Sequence, residues 1–174
     1  MTAPIIGADL LDFADEVLSS PSPGSAALRR VVSTAYYAVF HELVGVAARR
    51  LLGADPSHAG DWFTAGRWYS HQDIRVVSSW VIGRTKRRKM PDTVEPLLDS
   101  PSADLVAFVK LITELQAARI RADYVHTPAP ELEEARRLVD NARLALAYLR
   151  NLRGDRVSDN YLMLLLGGPR LPAR

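Results

Sequence analysis

Cysteine is absent from this chain. Disulfide scaffolds and Cys-based zinc sites are therefore excluded, and the chain suits a reducing cytoplasm. Aromatic residues are few, at 7%. Runs of β-branched residues are rare, while Ala, Leu and Arg dominate, a mix that favours helix over strand. No glycine-rich phosphate loop and no GxSxG turn occurs. The four histidines fall in no His-x3-His or Glu-x2-His arrangement, so neither a metal site nor a cofactor is expected. No apolar run approaches the roughly 20 residues that span a bilayer. The longest, "YLMLLLGG", is far shorter, and no membrane association is expected. The start, "MTAPIIGADLLDFADE", lacks a basic segment followed by an apolar run and does not read as a signal peptide.

What is present is a helical pattern. The 174 residues, 48% of them apolar, suit one domain with a sizeable core. The expected division is a single helical domain over 1–155 and a C-terminal tail, 156–174, whose apolar patch docks on the body or on a partner chain. Residues 8–19 read as a first helix that buries Leu10, Leu11, Phe13 and Val17. A long helix follows over about 24–52, with Leu28, Val32, Ala35, Val39, Leu43 and Val46 on one stripe. Residues 70–82 suggest another helix through Ile74, Val77, Trp80 and Val81, and the segment before it reads as a short helix or an irregular lid. Ser102 is placed to cap a helix with Leu105, Phe108, Ile112 and Leu115 on its buried face. That helix should end near Thr127, because a residue before proline disfavours helical geometry. A last long helix over about 130–153 starts acidic and ends basic, as the helix dipole prefers. Four to five amphipathic helices without a convincing strand make an all-α bundle.

The net charge is only +2, but charge is clustered. "RTKRRKM" places Arg84, Lys86, Arg87, Arg88 and Lys89 within six positions. Such a segment suits phosphate backbones, or else it is a solvated loop.

The second cluster is "RIRADYVH", residues 119–126. A helix turns about 100° per residue, so Asp123 lies about 40° and His126 about 20° from Arg119. These three continue the buried stripe of Leu105, Ile112 and Leu115. Arg121 lies about 140° from His126 and joins them only if the last turn unwinds or a partner completes the site. Charge on a buried stripe is costly unless paired. One reading is an Arg119–Asp123 ion pair with His126 finishing the helix. The other is a polar pocket at the bundle's end or a dimer seam, where arginine binds phosphate and histidine moves a proton.

Here the sequence resembles the HEPN superfamily. Both Arg121-x4-His126 and Arg119-x6-His126 fit its arginine–histidine spacing. "RIRADY" resembles the family's RxxADY segment before the final helix, and "LRRVVSTAYYAVFHELV", residues 28–44, resembles its long early helix with paired tyrosines and a following FH. The resemblance spans roughly 25–153. It implies an all-α, HEPN-like bundle, often a homodimer, and a metal-independent ribonuclease, as in toxin–antitoxin and defence systems. Paired motifs would meet at a cleft where an RNA 2′-hydroxyl attacks the adjacent phosphate. His126 would transfer protons, Arg121 or Arg119 would stabilise phosphate charge, and Asp123 would orient one of these groups. RNA, a second copy and an antitoxin or regulatory protein are the implied partners. The alternative is a non-catalytic HEPN module that binds RNA, a nucleotide or a protein.

The chain departs from the family pattern in two places. A polar residue often follows the arginine, but Ala122 follows Arg121 and Ile120 follows Arg119. Some HEPN toxins carry a tyrosine two residues after the histidine, where this chain has Pro128.

Arg30, Tyr37 and His41 share a face of the long helix. They either line the same cleft, together with Tyr124, or satisfy one another. His58 and His71 read as exposed. Trp62, Trp68 and Trp80 read as packing residues, although Trp68, between Arg67 and Tyr69, is also able to stack on a base.

Overall fold

The computed structural model describes residues 6–85, 90–124, 128–152 and 154–167, without the side chains of Arg84 and Thr85. Among these residues the chain is all-α, with seven α-helices and no strand. They are α1 (Ile6–Leu18), α2 (Ser25–Leu52), α3 (Ala59–Gly66), α4 (His71–Thr85), α5 (Ala103–Tyr124), α6 (Leu132–Asn151) and α7 (Arg156–Leu164). Short 3-10 turns occupy Pro56–His58 and Glu95–Leu97. The number of helices exceeds the expected four to five. The difficult stretch before residue 70 holds α3, and the tail holds α7.

Contacts gather the chain into two compact units. The first draws on residues 4–42 and 111–147. Leu11, Ala14 and Leu18 of α1 are buried here with Leu28, Val31, Val32, Ala35, Tyr36, Ala38 and Val39 of α2. Ile112 and Leu115 of α5, and Ala135, Leu138, Val139, Ala142 and Leu146 of α6, complete this core. Helices α1 and α2 approach closely at Gly7, where a β-carbon would lie 2.7 Å from Glu42 Cγ and 2.9 Å from the Ala38 carbonyl oxygen. Gly7, Leu11, Ala14 and Leu18 therefore face inward, while Phe13, expected in the core, is exposed. Surface ion pairs from Arg143 to Asp15 and from Arg137 to Glu114 tie α6 to α1 and α5. Exposed pairs of this kind contribute little.

The second unit draws on residues 43–110 and 148–174. Its core holds Leu43, Val44 and Ala47 of α2, Ile74, Val77 and Val81 of α4, Leu105 and Phe108 of α5, and the apolar side of α7. Asp155 caps α7 by accepting from Val157 N at 3.1 Å and Ser158 Oγ at 2.6 Å. Tyr161 is fully buried, its ring edge-on to Phe108 and its hydroxyl 3.0 Å from Ser78 Oγ. The apolar tail segment thus packs Tyr161, Leu162, Leu164 and Leu165 inside this unit. Ser102 caps α5 as its sequence suggests, accepting from Leu105 N at 3.2 Å. Gly53, at φ +86°, follows the end of α2 in the left-handed conformation that only glycine adopts without strain.

Two further expectations are corrected. Helix α2 is long and apolar enough to cross a membrane by length and composition, contrary to the reading that no such stretch exists. However, 67% of its apolar window is buried against other helices, which is the pattern of a core helix. His71, expected at the surface, is half-buried, whereas the side chain of His58 is 45% exposed, with Nδ1 3.4 Å from Asp61.

Candidate functional site

The polar end of α5 meets the Ser33–Tyr37 side of α2 inside the first unit. Arg119 carries the arrangement. Its stem continues the apolar stripe of α5, and its side chain is only 12% exposed. Nε lies 2.8 Å from Asp123 Oδ2, one helical turn later. That distance makes an ion pair, although the N–H is not aligned for a hydrogen bond. Nη2 donates to the hydroxyls of Tyr37 and Tyr124. The guanidinium carbon also lies over both rings, 5.2 Å from the centre of Tyr37 and 4.9 Å from that of Tyr124. Nη1 has no partner among the described residues.

Burial alone would lower the pKa of Arg119. The hydrogen bonds that it donates to Tyr37 and Tyr124, with the charge of Asp123, outweigh it, and the pKa rises. The site therefore holds a fixed cation with one free edge.

Asp123 is itself held from behind. The hydroxyl of Ser33, which is buried on α2, donates a short hydrogen bond to Asp123 Oδ1. The line runs from Ser33 to Asp123 to Arg119. Next to it, Tyr37 stacks on His41 with ring centres 6.2 Å apart. His41 is exposed, yet desolvation beside these rings lowers its pKa, with Glu42 opposing. Tyr124 is 67% exposed, so one wall of the cage opens to solvent. Arg30 shares the face but is exposed and joins none of these contacts.

Arg121 belongs to another surface. Its side chain is 54% exposed and lies 3.5 Å from Glu134 Oε1 of α6. It lines a cleft of about 320 Å³ with Arg29, Pro128, Pro130, Glu131 and Glu134. Arg29 reaches the end of α5 and donates to the carbonyl oxygens of Ala122, at 2.9 Å, and Arg121, at 3.5 Å. A cation there complements the carbonyl-rich C-terminal side of the helix dipole. The described part of α5 runs to Tyr124, and the end expected near Thr127 lies outside the described residues.

Of the residues singled out in the sequence, Arg119, Asp123, Tyr124, Tyr37 and His41 come together. Arg121 and Arg30 do not join them. His126 lies outside the described residues, as do Lys86, Arg87, Arg88, Lys89 and the side chain of Arg84. Sequence reasoning missed Ser33 and Arg29. Their signal was the spacing of four from Arg29 to Ser33 to Tyr37, which keeps all three near one line on α2. No group of three or more metal-binding side chains occurs among the described residues.

Comparison with protein-family models, with characterised proteins and with solved structures gives no match to this chain.

Proposed function

We propose that this chain is a HEPN-type, metal-independent endoribonuclease that works as a two-fold homodimer. The supporting observation is the caged Arg119: permanently charged, oriented by Asp123, and with Nη1 free for a phosphate oxygen. In this reading the RNA 2′-hydroxyl attacks the adjacent phosphorus. The bond to the 5′-oxygen breaks, leaving a 2′,3′-cyclic phosphate and a 5′-hydroxyl. His126 transfers protons between these oxygens, and Arg119 stabilises charge on the phosphate. Arg121 is the second candidate for that role. In this reading a second copy meets the site at Tyr124, which is 67% exposed, and at the exposed Arg30 and His41. A toxin or defence effector, restrained by an antitoxin or regulatory protein in the cytoplasm, fits this activity.

One observation favours a non-catalytic HEPN module instead. Both arginines already have carboxylate partners within one chain, Asp123 for Arg119 and Glu134 for Arg121. Such pairs suit a site that binds without turning over. Analysis of product ends separates the two readings. The nuclease leaves cyclic phosphates from an RNA substrate, and the binding module leaves the RNA intact.

A further inference from the structure

The second unit carries two exposed aromatic side chains, five residues apart, that the cage chemistry does not use. Phe63, on α3, is 69% exposed, and Trp68, just beyond the end of α3, is 56% exposed. The exposure of Trp68 overturns its reading as a packing residue. Each exposed ring forgoes a large burial gain, so their presence near one helix end asks for a reason.

Two arginines on rings of the same segment give it direction. The guanidinium carbon of Arg67 lies 4.8 Å from the centre of the Phe63 ring. That of Arg49, on α2, lies 5.9 Å from the centre of the Trp62 ring. Neither arginine has a carboxylate partner among the described residues. The neighbouring acids are engaged elsewhere: Asp61 with His58, Asp55 in its own turn with Ser57 N, and Asp159 with Arg50. Trp62 is fixed by its Nε1 donating to the Gly53 carbonyl at 2.9 Å, which anchors α3 to the end of α2. The segment from Trp62 to Trp68 thus brings aromatic rings together with two cations, Arg67 over Phe63 and Arg49 over Trp62, that have no carboxylate partner among the described residues.

A purely apolar partner would leave those cations without a role. A strand of bases linked by phosphates uses both, because every base has a face to stack and every link a negative charge. We infer that Phe63, Arg67 and Trp68 form a stacking surface for single-stranded nucleic acid, with Arg49 adding charge. The bases lie on the two rings and the phosphates meet the guanidiniums. Stacking of this kind tolerates any base sequence.

Binding here does not depend on cleavage. A 2′-deoxy strand has no 2′-hydroxyl to attack its own phosphate, so it tests this surface apart from the ribonuclease reading. The experiment is fluorescence anisotropy of labelled oligothymidylate with the full chain at low salt, repeated with oligouridylate and His126→Ala protein. Phe63→Ala and Trp68→Ala should each raise Kd by about tenfold. Arg67→Lys, which keeps charge but loses the flat guanidinium, should cost less. Circular dichroism should not change, since these rings are exposed. Unchanged Kd in both aromatic variants would overturn the inference. So would self-association of the wild type that Phe63→Ala abolishes, because the surface would then belong to a second copy.

Discussion

Arg119 and Tyr37 meet in two ways: the guanidinium donates to the tyrosine hydroxyl and also lies 5.2 Å from the centre of its ring. The contact joins α5 to α2 across 82 residues of sequence. It holds in place a mostly buried cation whose charge Asp123, on the same helix, already pairs. Asp123 and Tyr124 complete the cage, and Ser33 holds Asp123 in place.

The cage should couple stability to binding. Asp123→Ala removes the partner of a mostly buried cation and should cost about 1.5–3 kcal/mol in urea unfolding. Ser33→Ala should cost about 1 kcal/mol and weaken RNA binding less than Arg119→Ala does. An Asp123→Ala protein as stable as the wild type would show that the ion pair holds nothing together.

Tyr69 gives a prediction with a defined pH window. Its hydroxyl is buried without a partner among the described residues, and burial pushes its pKa up to about 12 from the ordinary 10. The unfolded chain therefore ionises first. The contribution of Tyr69 is constant below pH 10 and is lost as pH rises from 10 towards 12. Tyr69→Phe should remove this part of the alkaline loss and add about 1 kcal/mol at neutral pH, because an unsatisfied hydroxyl leaves the core. Thermal unfolding at pH 7.5 and pH 11 checks both. A Tyr69→Phe protein less stable at both values would reveal a partner for the hydroxyl.

Gly7→Ala should destabilise the chain by about 1–3 kcal/mol, the usual cost of forcing volume into a filled contact. The added methyl would meet the Ala38 carbonyl oxygen, and backbone yields less readily than a side-chain end. Denaturant midpoints for Gly7→Ala and the open-space control Gly60→Ala make the comparison.

Charge reversal across Arg84, Lys86, Arg87, Arg88 and Lys89 should weaken RNA binding at low salt and flatten its salt dependence. Thermal stability should stay nearly constant. Unchanged affinity would mark the segment as a solvated loop.

The proposed dimer should appear in light scattering at micromolar concentration. A monomer under those conditions would argue against a shared cleft.

Much of the helical pattern was legible in the sequence. The stripe Leu105, Phe108, Ile112 and Leu115 is wholly buried, as its spacing demands. The Arg119–Asp123 pair was also readable, because a step of four residues returns to nearly the same helix face. Ser33 and Arg29 were not, since their partners lie some 90 residues away and only the fold brings them close. Helix α3 was obscure because Phe63 points outward and the usual apolar stripe is broken. Phe13 misled because it lies about 200° around α1 from Leu11, on the side that Gly7 turns away from α2.

The central claim is that the "RIRADYVH" segment cleaves RNA without metal. Its most direct test incubates pure protein with RNA in EDTA, for the wild type, His126→Ala, Arg119→Ala and Arg121→Ala. The account predicts cleavage by the wild type in EDTA, products ending in 2′,3′-cyclic phosphate, no cleavage by folded His126→Ala, and a larger loss for Arg119→Ala than for Arg121→Ala. Cleavage that stops with EDTA, or that persists in His126→Ala, would contradict it.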